Sequence, residues 1–297
     1  MAKLRRQIYN QLGKMRAYGE KRHEAKEKAK AEGKDRDFYT KDKIYSEKTF
    51  DTYVQYCQRL REYAEKQNPN IKTLDELKNY VEPFLNEKID EGLSAWSISS
   101  YLAGFNKLFQ TEKEDYKNLK SYKRDVEDIT KNRGDKKLKY NPKNYENELR
   151  FSRCLGLRVS ELRDLSLNDI YIKNNKIESV FVRQGKGGKQ RNVKFYGSRE
   201  EEQQIIKDIE EKRAKGYKKA FPAFTKELKI HRERQEYAKR VYNHHSRDVS
   251  TLPREDVTTP RKGANKGHKY DKKALEITSK MLGHTRINVV YQNYLSA

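Results

Sequence analysis

Residues 282–295 read LGHTRINVVYQNYL. Gly283 closes a helical run over 273–283, His284 follows it directly, and Tyr291 and Tyr294 stand just before the end of the chain. A glycine in that place is a common helix stop, because it takes the left-handed conformation without a steric penalty. Three more short signals precede it in order. Arg158 lies in GLRVSEL (156–162), between a helix stop and the next helix start. Lys186 and Lys189 lie in GKGGKQR (185–191), and His231 and Arg234 lie in HRER (231–234), three residues apart and therefore on one helix face. Each alone has a bland reading: an arginine in a turn, a solvated hairpin tip, surface charge, a packing tyrosine. GKGGKQR is not a P-loop, since the GxxxxGK[ST] spacing and the following helix are both missing.

The elements around these signals outline a domain over 142–297. Pro142 suits a first helical turn, with that helix running to about Cys154 and stopping at Gly156, and a short helix follows at Ser160-Glu-Leu-Arg. IYIKNNKIESVFVRQGKGGKQRNVKFYG alternates, is rich in β-branched residues and carries two turn signals, which predicts a small antiparallel sheet with a long basic hairpin tip. Helical periodicity resumes at 199–214, 231–242 and 273–283. Residues 243–272 hold proline, glycine and many cations but no apolar period, so an insertion loop that is functional or orders on binding is expected there.

Toward the N-terminus, Phe50, Tyr53, Val54, Cys57, Leu60 and Ala64 form one helical stripe. Thr73-Leu-Asp-Glu76 is a capping box for a second helix with the stripe Leu77, Tyr80, Val81, Phe84, Leu85 and Ile89. A third, after Gly92, carries Trp96, Ile98, Tyr101, Leu102, Phe105, Leu108 and Phe109. Residues 44–112 therefore read as an all-α domain, 1–43 as a basic solvated arm or helix, and 113–141 as a charge-dense linker.

The whole chain has 297 residues and a formal charge of +23. That excess is tolerated most readily when the partner is a polyanion, so nucleic acid leads. The 21 tyrosines and 10 phenylalanines argue against disorder. Cys57 and Cys154 sit far apart in apolar helical patterns and read as reduced thiols, with neither disulfide nor metal-ligand spacing. No apolar run approaches the roughly 20 residues that span a bilayer, and a cytoplasmic, nucleoid-associated protein is expected.

Taken together, two arginines, a lysine, two histidines and a nearly terminal tyrosine, on these elements and in this order, resemble the tyrosine recombinase (phage integrase) family. The ending LGHTRINVVYQNYL is most similar to integrases of Gram-positive phages and integrative elements. The resemblance implies a two-domain DNA clamp, mainly α with a small antiparallel β-sheet. A helical, SAM-like core-binding domain at 44–112 would be followed by an α+β catalytic domain at 142–297. It implies site-specific DNA strand cleavage and rejoining through a 3′-phosphotyrosyl intermediate, without ATP, metal or other cofactor, for integration or excision of a mobile element. Arg158 and Arg234 would clamp the scissile phosphate, Lys186 would protonate the leaving 5′-oxygen, His231 would assist proton transfer at the nucleophile, and His284 would hydrogen-bond the phosphate. Glu161, three residues after Arg158, would either orient it or simply solvate the helix. Tyr294 is the chosen nucleophile with Tyr291 as the alternative, and Arg261 is the alternative second arginine. The family expectation for partners is a homotetramer assembled on duplex attachment sites, with an accessory directionality factor. Only three residues follow Tyr294, which leaves little chain for a C-terminal exchange between subunits. A DNA-binding regulator that kept the fold and lost the chemistry is the alternative function.

Phosphate contacts would supply most of the affinity. Lys3, Arg5, Arg6, Lys14 and Arg16 in the arm, Lys189 and Arg191 on the hairpin, and Arg261, Lys262 and Lys266 in the loop are the candidates. Ser94, Ser97, Ser99 and Ser100 surround a helix start that can also meet a phosphate, although capping explains most of them.

Overall fold

The computed structural model describes residues 3–125, 140–186, 188–225 and 228–295. The chain divides into two compact units, Met1–Ile129 and Thr130–Ala297, and each has its own apolar core.

The first unit is helical: α1 (Leu4–Gly13), α2 (Arg22–Ala31), α3 (Glu47–Gln67), α4 (Leu74–Lys78), α5 (Val81–Asp90) and α6 (Ala95–Phe109). Serine caps open the two long helices, with Ser46 Oγ accepting from Thr49 N and Ser94 Oγ from Ser97 N. Phe50, Cys57, Leu60 and Ala64 of α3 close onto Ile98, Leu102, Phe105 and Leu108 of α6. Three expectations change here. Residues 1–43 are not a solvated arm throughout, because Leu4, Ile8 and Leu12 recur every fourth residue of α1 and are buried against α3. Only the α2 region matches that description, with Ala29 its one buried residue. The helix opened by the Thr73–Glu76 capping box stops at Lys78, and α5 restarts at Val81. Pro83 explains the break: its ring would clash with the Asn79 carbonyl in a continuous helix, but it is tolerated in the first turn of a new one. The predicted linker begins as part of the unit, since Tyr116 is buried and Asn118 N donates to Glu82 Oε1. Residues 126–139 of that linker lie outside the described residues.

The second unit starts with a 3-10 turn at Pro142–Tyr145, followed by α7 (Glu146–Leu155) and α8 (Val159–Arg163). A three-stranded antiparallel sheet follows in the order β1 (Ile170–Lys173), β2 (Lys176–Val182), β3 (Arg191–Val193). Asn174 and Asn175 join β1 to β2 with φ of 49° and 55°, the doubly left-handed turn that suits a two-residue hairpin. Then come α9 (Arg199–Ala214), α10 (His231–His245), β4 (Val257–Thr258), β5 (Tyr270–Asp271), α11 (Lys272–Leu282) and α12 (Asn288–Asn293).

Residues 243–272, expected to be a loop, are built from the tail of α10, a 3-10 turn at Arg254–Asp256 and the β4–β5 pair. The anchor is Asp271: its buried carboxylate takes Arg247 Nε at 2.8 Å and Nη2 at 2.9 Å while also capping α11 through Lys273 N. No helix among the described residues is long and apolar enough to cross a membrane.

Candidate active site

Four elements that are far apart in sequence converge at the ends of α7 and α11. Gly156 ends α7 with φ +60°, and a Cβ there would lie 2.2 Å from the Tyr237 ring. Only glycine therefore lets α7 stop against α10, and that contact turns the Gly156 carbonyl toward Arg234, which donates to it through Nη1. Arg234 is 3% exposed and also donates to the Leu282 carbonyl at the end of α11. The same Leu282 carbonyl receives Nη2 of Arg158 at 3.0 Å, and the neighbouring Met281 carbonyl receives Nε of Arg191 at 3.0 Å. Three guanidiniums thus gather on one helix C-terminus, where unpaired carbonyls and the negative end of the helix dipole favour cations.

One carboxylate balances them. Glu161, buried on α8, accepts Arg158 Nη1 at 2.7 Å and the Arg158 backbone N at 2.8 Å, while Arg191 meets it in a two-pronged pair at 2.9 and 2.7 Å. Burial pushes the Glu161 carboxyl up, but the Arg191 guanidinium, then the Arg158 amide and charge, outweigh it and hold its pKa at about 2. Burial also lowers Arg234, to about 10, with the Arg158 charge adding to the effect, so it remains a cation at neutral pH.

Tyr294 follows α12 and is buried in this cluster. Its hydroxyl receives Arg234 Nε at 3.3 Å and lies 3.2 Å from His284 Nε2. The His231 ring, on the first turn of α10, flanks the Tyr294 ring at a centroid distance of 5.5 Å. His284 is lowered to about 4, first by burial and then by the charges of Arg234, Arg158, Arg191 and Lys186. Its imidazole is therefore neutral at pH 7. Lys186 is exposed on the β2–β3 turn, and its charge reaches His284; Gly187 beside it lies outside the described residues.

The His284 shift fixes a pH dependence. Below pH 6.5 the unfolded chain protonates this imidazole while the folded one does not, so stability falls with pH by up to roughly 1.4 kcal/mol per unit until about pH 4. Urea unfolding at pH 6.5, 5.5 and 4.5 should show a flatter decline for His284→Asn than for wild type, and parallel declines would refute the assignment.

Of the residues expected from sequence, the structure brings Arg158, His231, Arg234, His284 and Tyr294 together, with Lys186 within electrostatic reach. Tyr291 points elsewhere: its ring stacks on Tyr270 at 5.8 Å. Arg261 is exposed between β4 and β5, whereas it is Arg234 that touches the Tyr294 hydroxyl. One proposed DNA contact is overturned. Arg191 is not on the hairpin surface: its side chain is 8% exposed and its guanidinium is committed to Glu161 and Met281. Sequence reading missed it because its carboxylate partner lies 30 residues away. Arg16 is partly committed as well, bonded to Tyr9 at 2.6 Å and lying over the Phe50 ring. Lys3, Arg5, Arg6, Lys14, Arg261, Lys262 and Lys266 are exposed and Lys189 is half-buried. Among the serines, Ser94 caps α6, Ser99 accepts from Arg124 and Ser100 donates to the Trp96 carbonyl.

The model of the phage integrase family matches residues 121–258, a segment that contains Arg158, Lys186, His231 and Arg234 and ends before His284 and Tyr294. No curated protein sequence matches this chain. Among solved structures, the chain is similar to the XerH site-specific recombinase bound to palindromic difH substrate in a post-cleavage complex (18% identity, 81% of this chain and 74% of that one, TM-score 0.45). It is also similar to the XerA recombinase (13% identity, 98% and 93%, TM-score 0.33). A further similar structure is the Tn1549 transposon integrase in complex with transposon right end DNA (14% identity, 82% and 95%, TM-score 0.35).

Proposed function

We propose that the chain is a site-specific DNA recombinase of the tyrosine type, with Tyr294 as its nucleophile, a reading supported by the match of residues 121–258 to the model of the phage integrase family. The observation that carries this reading is the Tyr294 hydroxyl, held between Arg234 and a neutral His284, with Arg158 and Arg191 sharing the Glu161 carboxylate beside them.

The excess positive charge suits a phosphodiester, whose transition state gathers negative charge on the non-bridging oxygens. Arg158 and Arg234 clamp those oxygens. Tyr294 Oη forms a bond to phosphorus as the bond to the 5′-oxygen breaks, and Lys186 supplies the proton that oxygen needs. The phenolic proton passes to Nε2 of His284 in its Nδ1–H tautomer, which lies 3.2 Å from the hydroxyl. His231 lies alongside the ring. Rejoining runs the same steps in reverse with a different 5′-hydroxyl, so the phosphotyrosyl bond conserves the energy of the one cleaved. The chain acts on duplex DNA of a mobile element, assembles as a tetramer on it, and takes direction from an accessory factor. The exposed cations of α1 and of the β4–β5 connection serve phosphate contacts.

The test begins by recovering a binding site from a randomised duplex pool. Incubation with a nicked duplex carrying that site should then give an SDS-resistant protein–DNA adduct. Tight, sequence-selective binding with no adduct would leave a DNA-binding regulator instead. Arg158→Ala should slow adduct formation on the order of 10²–10³-fold, the usual effect of removing one transition-state donor. Most of the binding should remain, since many phosphate contacts persist; a large binding defect at low salt would remove Arg158 from the clamp.

A further inference from the structure

We propose that residues 259–269 are a strap that positions the nucleophile, with Asn265 and Tyr270 as positioning residues; this rests on the reading of Tyr294 above. The helix that leads into Tyr294, α12, has six residues, Asn288–Asn293. A helix that short has little stability of its own, and its last carbonyls have no partners within the helix. Two side-chain amides from outside supply them. Asn265, 7% exposed, donates Nδ2 to the Tyr291 carbonyl, and Gln235 of α10 donates to the Asn293 carbonyl at 2.9 Å. The Tyr291 ring, three residues before Tyr294, stacks on Tyr270 with planes 14° apart. Tyr291 is thereby gripped by both its main chain and its ring.

The strap itself is firmly built. Gly267 N donates to the Pro260 carbonyl at 3.0 Å, Lys266 N to Gly263 at 2.9 Å and His268 N to Asn265 at 3.2 Å. The β4–β5 pair and the ion pair between Arg247 and the buried Asp271 carboxylate fasten its base. Arg261, Lys262 and Lys266 are exposed on this same segment, so the residues that meet phosphate are continuous with those that hold α12. In-line attack depends on reacting atoms being held near contact, and a misplacement of about 1 Å costs on the order of 10²-fold in rate.

The test compares Asn265→Ala, Tyr270→Ala and Tyr270→Phe on the nicked selected duplex at saturation. The two alanine variants should form the adduct about tenfold or more slowly, reach the wild-type final fraction, and bind the duplex within about twofold of wild type. Tyr270→Phe keeps the stack and should cleave at the wild-type rate. Hydrogen–deuterium exchange on the free protein gives a second measurement that needs no activity: exchange over 288–295 should rise in Asn265→Ala and Tyr270→Ala while that of α10 and α11 stays as in wild type. Wild-type rates in the alanine variants overturn the strap. So does a defect that appears only as a smaller final fraction with a lowered Tm, since that marks misfolding. If wild type forms no adduct, the recombinase reading fails, and unchanged exchange over 288–295 would overturn the strap on its own.

Discussion

Tyr294→Phe should abolish the covalent DNA adduct, and Tyr291→Phe should leave it intact. The two side chains are three residues apart, yet one hydroxyl meets Arg234 and His284 while the other ring stacks on Tyr270. Losing the Tyr294 oxygen removes the atom that would bond to phosphorus, and no neighbouring hydroxyl stands in its place between those two partners. The phenylalanine ring still fills the pocket beside His231, so folding and DNA affinity should change little. Denaturing gel electrophoresis of end-labelled nicked duplex reads the result directly. An adduct that survives in Tyr294→Phe and vanishes in Tyr291→Phe would reverse the assignment and require α12 to rotate before chemistry.

The second large effect falls on stability. Glu161→Gln should destabilise the second unit by about 3–5 kcal/mol, the usual cost of removing one partner from a buried ionic group. Two guanidiniums, with side chains 18% and 8% exposed, lose the only carboxylate either is paired with among the described residues. Against a typical total of 5–15 kcal/mol that is a major fraction. The pH dependence provides an independent check. The folded pKa of about 2 lies below the ordinary 4.5, so the contribution is fully present above pH 4.5 and disappears as pH falls toward 2. The difference in pKa corresponds to roughly 3 kcal/mol. Wild type should therefore lose stability more steeply than Glu161→Gln across that window in urea titrations followed by circular dichroism. A change below about 1 kcal/mol at pH 7 would mean that the cluster relaxes around the amide.

Side chains that the proposed chemistry requires were readable from sequence, because short motifs fix both their type and their neighbours. Arg158, His231, Arg234, His284 and Tyr294 are of this kind. Their supports were not. Gly156 and Leu282 act through main-chain carbonyls, which carry no residue-specific signature, and Arg191 looked like any hairpin cation until its pairing with Glu161 across 30 residues was visible. The same limit applies to folding elements. Leu4, Ile8 and Leu12 make a regular stripe, but three apolar residues among cations give a weak period. Strands of two residues, as in β4 and β5, are too short for alternation to register at all.

Arg158 and Arg234 hang from the same carbonyl, that of Leu282. A tilt or slide of α11 would therefore disturb both guanidiniums at once, pulling Arg158 against its bond to Glu161 and Arg234 against its bond to the Gly156 carbonyl. Substitutions along the buried face of α11 should accordingly slow adduct formation through both arginines together rather than through either one alone.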